Sequence, residues 1–160
     1  MAVDFFLKLE GIPGESKDKA HKGEIDVLAW SWGVSQSGTM HMGGGGGGGK
    51  VSMQDLSLTS YYEKSTPKLM EYCANGGHIP AGVLTCRKAG GKQEEVIIYT
   101  ITDVLVTSVS TGGSGGEDRQ TVNFSLNFAK IETAYKEQKQ DGGLESPLNF
   151  GYNIQENEKL

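Results

Sequence analysis

Strict alternation of apolar residues is the feature that most limits what this 160-residue chain can fold into. Two runs show it, with apolar residues at Val3, Phe5, Leu7 and Leu9 in the first and at Val122, Phe124, Leu126 and Phe128 in the second. Successive side chains of a strand point to opposite faces, so both runs predict strands with one buried face. Beyond residue 128 the apolar positions Ala129 and Ile131 follow the opposite phase, which predicts a bulge or bend.

Other segments rich in β-branched and aromatic residues also favour strands. They are residues 24–34, 51–59, 83–87, 95–110 and 152–155, together with the continuation of the second run to residue 135. In the segment 24–34 one phase is shared by Leu28, Trp30, Trp32 and Val34. In 51–59 the apolar face changes near Gln54 or Asp55, which predicts a bulge there.

One short helix is predicted over residues 65–76. Thr66 can cap the free amides at its start and Pro67 suits the first helical position, while Asn75 or Gly76 can adopt the left-handed conformation that ends a helix. Its apolar stripe consists of Leu69, Met70, Tyr72 and Cys73. Spacing of three and four residues predicts that this stripe packs on a sheet.

Six or seven strands with one helix predict a single, mainly β domain over residues 1–160. A closed or nearly closed β-barrel and a β-sandwich both fit, because each limits the exposed edges of its sheets. Any edge that remains is free to pair with another subunit. Cys73 and Cys86 fall in elements of different type with no Cys-x-x-Cys spacing, so we expect two reduced thiols.

Charge and hydropathy exclude several classes of function. The chain has 15 Lys and Arg against 20 Asp and Glu, a net charge of −5, which disfavours nucleic-acid binding. No run approaches the roughly 18 apolar residues of a membrane-spanning helix, so membrane insertion is not expected. The first residues lack the basic and apolar regions of a cleaved signal peptide. We therefore expect protein partners.

Seven consecutive glycines, Gly43 to Gly49, precede Lys50 and invite a phosphate-loop interpretation. Gly44, Gly49 and Lys50 satisfy G-x-x-x-x-G-K, but Val51 replaces the Ser or Thr that would hold magnesium. A strand pattern also follows where such a loop needs a helix. A loop that becomes ordered on a partner, with Gly46 at its centre, is the preferred interpretation.

Two further clusters could carry chemistry. Met40, His41 and Met42 offer ligands suited to copper(I), yet His21 and His78 add no paired spacing, so no metal site is expected. Gly113, Ser114 and Gly115 lack the G-x-S-x-G pattern and suit a hairpin connection. No catalytic set and no cofactor are predicted, so we do not expect an enzyme.

Several motifs together resemble the Hcp family, the haemolysin-coregulated tube proteins of bacterial type VI secretion systems. They cover nearly the whole chain, at residues 1–4, 14–19, 24–33, 35–38 with the glycine run, 64–67, 87–91 and 108–118. The resemblance implies a β-barrel of two sheets with a short flanking helix and a long glycine-rich extended loop. It also implies hexameric rings that stack into a tube inside a sheath, beneath a spike.

The resemblance further implies that the lumen of the tube holds effectors, and that the protein leaves the bacterial cytoplasm through the apparatus without a cleaved signal peptide. On this basis we expect Gly113, Ser114 and Gly115 to contact the lumen or its rim. We expect a stacking or subunit-contact loop over residues 37–50, with Met40, His41 and Met42 as anchors and Gly43, Gly46, Gly49 and Lys50 in its remainder. The alternatives are a monomeric β-barrel that binds a small ligand and an NTPase that uses the glycine loop.

Overall fold

Ten β-strands and one α-helix form the described part of this computed structural model, residues 2–38, 51–89 and 92–160. The first five strands are β1 (Val3–Leu9), β2 (Ile25–Ser31), β3 (Val34–Gln36), β4 (Val51–Met53) and β5 (Leu56–Tyr61). They are followed by α1 (Ser65–Asn75), β6 (His78–Lys88), β7 (Glu95–Gly112), β8 (Thr121–Tyr135), β9 (Leu148–Asn153) and β10 (Glu158–Lys159). The mainly β prediction with one short helix is confirmed.

The barrel closes through the antiparallel pairing of β7 with β8. Around the wall the strands follow the order β8-β5-β2-β1-β6-β7, and β7 returns to β8. Strand β8 pairs on its other side with β5 over residues 121–126 and with β9 over residues 130–135. The closed barrel is therefore confirmed over the sandwich, while β3 and β4 form a separate two-stranded sheet.

The alternating residues of the sequence fill the barrel. Side chains that are at most 2% exposed include Leu7, Ile25, Leu56, Leu58, Leu84, Ile101, Val104, Val122, Phe124, Leu126 and Ile131. Leu69 of α1 is fully buried, and Tyr72 and Cys73 pack against the same cluster, so the helix packs on the sheet as predicted. Met70 was wrongly included in the packing stripe, since it is 37% exposed. Burying a large aliphatic side chain contributes roughly 1.5–3 kcal/mol, so this core supplies most of the driving force for folding.

The start of α1 differs from the prediction. The residue before the helix is Lys64, whose side chain makes no capping bond, and Pro67 occupies the third helical position. The hydroxyl of Thr66 accepts the backbone N–H of Glu63 at 3.2 Å, while the Glu15 carboxylate accepts that of Lys64 at 2.6 Å. A distant carboxylate therefore serves the helix start, which local sequence does not reveal. Gly76 ends the helix at φ 68°, as predicted.

The backbone pairing of the barrel is interrupted at one row of residues that crosses β6, β7 and β8. Between the pairs Ile79–Val104 and Ala81–Thr102 the ladder skips Pro80 and Asp103, and across β8 it skips Ala129. Pro80 has no N–H to donate, and Asp103 adopts a left-handed φ of 55°. The buried phase of β8 changes at this row, from Phe128 to Ile131, which confirms the predicted bend.

Two predicted strands are each divided in the structure. Segment 24–34 breaks at Trp32 and Gly33, and segment 51–59 breaks at Gln54 and Asp55, where the change of face was predicted. The breaks face each other because the Trp32 indole N–H donates to the Gln54 carbonyl at 2.9 Å and the Gln54 N–H donates to the Gly33 carbonyl at 2.9 Å. Beyond them β3 and β4 leave the barrel.

The shared phase predicted for Leu28, Trp30, Trp32 and Val34 holds only for the two tryptophans, which are partly buried against the core. Ile25 and Val27 are buried, whereas Leu28 and Val34 are 42% and 45% exposed. Leu28 is the extra residue of a register shift between Val27 and Ala29, so the core-facing phase changes there from Ile25 and Val27 to Trp30 and Trp32. Two boundaries also differ: β6 begins five residues before the predicted 83, and the C-terminal strand lies at 148–153 instead of 152–155.

We predict that Asp103→Val lowers the free energy of unfolding by about 1–2 kcal/mol, although valine is the better strand former. A β-branched side chain is strained at φ 55°. Denaturant unfolding measures the change, and Asp103→Asn is the matched control because asparagine tolerates this backbone and loses only the exposed ion pair with His78. A valine variant as stable as the asparagine variant would contradict the prediction.

Candidate functional site

The predicted site residues fall into two groups. The loop residues Met40, His41, Met42, Gly43, Gly46, Gly49 and Lys50 lie outside the described residues. Gly113, Ser114 and Gly115 lie in the exposed connection from β7 to β8, which confirms the predicted hairpin connection. The carbonyl of Ser114 accepts the N–H of Glu117 at 3.1 Å. A Cβ at position 113 would collide with the Gln120 side chain, so glycine lets this side chain lie against the turn.

A polar groove lies on the outer surface of the strands that lead to this turn. We call it the hydroxyl face and define it by Ser31, Ser57, Thr59, Thr107, Ser108, Ser110, Asn123 and Ser125. The groove encloses about 300 Å³. The members are short and uncharged, and Ser108 and Ser110 belong to the last residues of β7 before the turn.

A bulge in β7 places two neighbouring hydroxyls on this face. Val106 pairs with Leu126 and Ser108 pairs with Ser125, so Thr107 is the extra residue. As a result both Thr107 and Ser108 contact the Ser125 hydroxyl, at 2.7 and 2.6 Å. Asp55 accepts hydrogen bonds from the Thr107 hydroxyl and the Asn127 amide, both at 2.8 Å.

Sequence reasoning missed the hydroxyl face. Its signal was the phase of β8 opposite the core, where Thr121, Asn123, Ser125 and Asn127 alternate with the buried apolar residues. Polar residues in that phase also occur on any solvated strand face, so the pattern alone does not indicate a site. Only the fold brings β2, β5, β7 and β8 together here.

The root of the extended loop is fixed by side-chain and backbone contacts. Trp32 is partly buried against Tyr99, with ring centroids 5.9 Å apart, and its indole binds the Gln54 carbonyl. A Cβ on Gly33 would lie 2.9 Å from the Gln54 amide oxygen, so glycine permits this close approach. On the hairpin that follows, Val34 pairs with Met53.

A buried arginine holds the segment between β1 and β2 against the barrel. Arg87 of β6 is 3% exposed and donates to both carboxylate oxygens of Asp18, at 3.0 and 2.6 Å, and to Asp4 at 3.3 Å. Its guanidinium lies 4.8 Å from the ring centroid of Phe6. A buried guanidinium needs such partners, so these contacts hold the segment that contains Asp18 on the barrel.

His21 extends the same cluster. Its ring stacks on Phe6 at 4.3 Å, its Nδ1 lies 3.0 Å from Glu24 and its Nε2 lies 2.8 Å from Glu95. Both ring nitrogens are therefore occupied by carboxylates of the protein itself. This histidine has no lone pair or proton available to a substrate, and the cluster stabilises the fold.

The titration behaviour of the cluster agrees with a structural role. The hydrogen bond from Arg87 lowers the pKa of Asp18 from 3.8 to about 2.

Cys73 and Cys86 are free, and burial raises the pKa of Cys86 to about 11, which keeps it a thiol at neutral pH. Among the described residues no group of three or more His, Cys, Asp or Glu side chains is placed to hold a metal ion.

Within residues 2–38, 51–89 and 92–160, no helix has the length and apolar character needed to cross a membrane.

The family model for "Type VI secretion system effector, Hcp" matches residues 6–135. Protein hcp1 of Pseudomonas aeruginosa strain PAO1 is 60% identical over 159 residues, which are 98% of each chain.

Solved structures match the fold as well. Hcp1 from Salmonella typhimurium is 36% identical with a TM-score of 0.81, and the match covers 100% of both chains. A structure described as a type six secretion system protein is 30% identical with a TM-score of 0.94, and it covers 99% of this chain and 100% of the other. Sequence and fold therefore agree over nearly the entire length.

We predict that the acid sensitivity of folding depends on Asp18. Because its folded pKa is lowered, its contribution to stability is complete above pH 3.8 and is lost as the pH falls towards 2. Melting temperatures measured from pH 7 to pH 2 should fall less steeply in this acid window for Asp18→Asn than for the parent chain. Glu10→Gln removes an exposed carboxylate outside the cluster and should leave the slope unchanged. Equal slopes in all three proteins would refute this assignment.

Proposed function

Because this chain belongs to the Hcp family of type VI secretion proteins, we propose that it is the ring-forming subunit of a secretion tube. In this proposal six copies close into a ring, rings stack into a tube, and effector proteins are carried in the lumen. The observation that carries the proposal is the 60% identity to Protein hcp1 over 98% of both chains.

Two exposed apolar patches support closure into a ring. The first contains Leu28, which is 42% exposed, and Tyr61, which lines the same groove on the outer wall. The second contains Tyr135 and Leu148, which pair across β8 and β9 and are 45% and 70% exposed. A cyclic ring joins two different surfaces of each subunit, and large exposed apolar side chains are common where proteins associate. We propose that the first patch of one subunit lies in the contact with its neighbour's second patch.

The hydroxyl face supports the proposed lumen. It has short side chains and leads along β7 into Gly113, Ser114 and Gly115. A surface that must hold cargo and then release it benefits from small polar contacts, because these bind weakly and bury little apolar area. We propose that the hydroxyl face and the 113–115 turn line the lumen together.

The loop containing Met40, His41, Met42, Gly43, Gly46, Gly49 and Lys50 is proposed to contact a neighbouring subunit or ring. Its described root supports this role, because β3 and β4 leave the barrel wall and expose Val34. From family membership we further propose that sheath and spike components are partners and that the protein leaves the bacterial cytoplasm through the apparatus.

The test of this function is the assembly state. Light scattering of the purified chain should give six times the subunit mass of 17.1 kDa, with rings visible by negative-stain electron microscopy. Leu148→Asp should reduce the fraction of rings at least about tenfold, because it places a charge in an apolar contact. Ala74→Asp introduces the same charge on exposed α1, outside both patches, and should assemble normally.

A parent chain that remains monomeric at high concentration would contradict the tube function and favour a monomeric binding module. Rings formed equally well by the Leu148 variant would exclude the second patch from the contact. Thermal unfolding of both variants distinguishes loss of assembly from loss of folding.

We also predict that Ser114→Gln reduces the retention of effectors by rings while rings still form, because the longer side chain occupies the space of the turn. Co-purification of the effectors exported by the same cells measures retention. Ala74→Gln adds an equally long side chain on the helix and should retain effectors like the parent. Retention by the Ser114 variant equal to that control would remove the turn from the cargo contact.

A further inference from the structure

The hydrogen bonds of the hydroxyl face run in one direction. A carboxylate has no proton to donate, so the Thr107 hydroxyl donates to Asp55 across their 2.8 Å contact. A hydroxyl has a single proton, and that of Thr107 is used there. Ser125 must therefore donate to Thr107, across 2.7 Å. Asp55 thus fixes the orientation of hydroxyls that it does not contact.

Ser108 is the exposed end of this chain of hydroxyls. The Ser125 hydroxyl proton is donated to Thr107, so Ser108 donates to Ser125 across 2.6 Å. Ser108 is exposed and retains only lone pairs for groups outside the protein. We call the series Asp55–Thr107–Ser125–Ser108 the hydroxyl ladder.

Two neighbouring hydroxyls also donate inside the protein. Thr59 donates to the side-chain oxygen of Asn123 at 2.6 Å, and Ser110 donates to the Asn123 carbonyl at 3.5 Å. Together with the ladder, five hydroxyls of the face have their protons engaged by the protein. What these hydroxyls offer to a partner is acceptor capacity.

We infer that the Ser108 end of the hydroxyl ladder selects hydrogen-bond donors, so that the cargo surfaces bound there are rich in lysine and arginine side chains. This inference rests on the proposed lumen role only for the identity of the partner as cargo. Asp55 is the carboxylate that polarises the ladder, and hydrogen bonds along such a chain strengthen one another. A cationic donor gains more from this arrangement than a neutral one.

The bulge at Thr107 makes the ladder possible. In a regular register one β7 residue would oppose Ser125, whereas the extra residue brings two hydroxyls to it. Thr107 then reaches back to Asp55 while Ser108 faces outward. The bulge therefore connects a carboxylate at the root of the extended loop to an acceptor in the groove.

The experiment measures binding of synthetic peptides by fluorescence anisotropy. The probes are a fluorescein-labelled peptide of alternating lysine and serine and the same peptide with glutamate in place of lysine. The parent chain should bind the lysine peptide at least about tenfold more tightly. Ser108→Ala and Thr107→Val should each weaken that binding about threefold to tenfold, the range expected for one hydrogen bond. Thr102→Val is the matched control, since Thr102 is an exposed residue of β7 outside the face.

A second pair of variants separates the ladder from general attraction to an acidic protein. Asp55→Asn lets an amide donate to Thr107, which removes the fixed direction, and should weaken lysine-peptide binding about tenfold. Asp26→Asn removes the same charge from an exposed position of β2 and should change binding less than about twofold.

Each outcome bears on the inference. Equal binding of both peptides to the parent, or Ser108 and Thr107 variants that bind like the Thr102 control, would overturn it. Equal losses for the Asp55 and Asp26 variants would assign the effect to net charge and overturn it too. The measurement applies to rings and to monomers, so failure of assembly would reject the tube function and leave this result separate. Circular dichroism verifies that each variant is folded.

Discussion

The pairing of β7 with β8 is the constraint on which the rest of the structure depends. Without it the remaining strands form an open sheet, and the core residues Phe124, Leu126 and Ile131 face solvent on one side. Both strands are long enough to pass the row at Asp103 and change direction there. The same two strands therefore supply the inner wall of the barrel and the outer hydroxyl face.

The charged residues Arg87 and Asp55 differ in how deeply they are buried. Arg87 is deeply buried and is held by Asp18 and Asp4, so replacing Arg87 would leave both carboxylates without their cation. Asp55 lies nearer the surface and accepts hydrogen bonds from two neutral groups, Thr107 and Asn127. The first arrangement stabilises the fold, whereas the second leaves a polarised surface that another molecule can contact.

Sequence periodicity predicted the elements well because side-chain alternation has a direct physical cause. The buried phase of β8, the phase change after Phe128 and the left-handed end of α1 at Gly76 all depend on neighbouring residues alone. In β1 Leu7 and Leu9 are buried as predicted, but Phe6 on the opposite face is also buried, against His21 and Arg87. The outward position of Leu28 and the role of Glu15 at the helix start were missed, because a bulge and a distant carboxylate decide them. Local pattern also could not locate the hydroxyl face, since Thr107 links Asp55 to Ser125 only after four strands are assembled.

The closed barrel also limits how copies of this chain can associate through their backbones. Every strand of the barrel wall has a neighbouring strand on both sides, so none is a free edge of the kind that templates amyloid-like growth. Within the described residues, open backbone edges are confined to the β3–β4 hairpin and to the β9–β10 end of the sheet. Over the part of the chain that the structure describes, pairing of backbone groups between two copies is therefore limited to these two short edges.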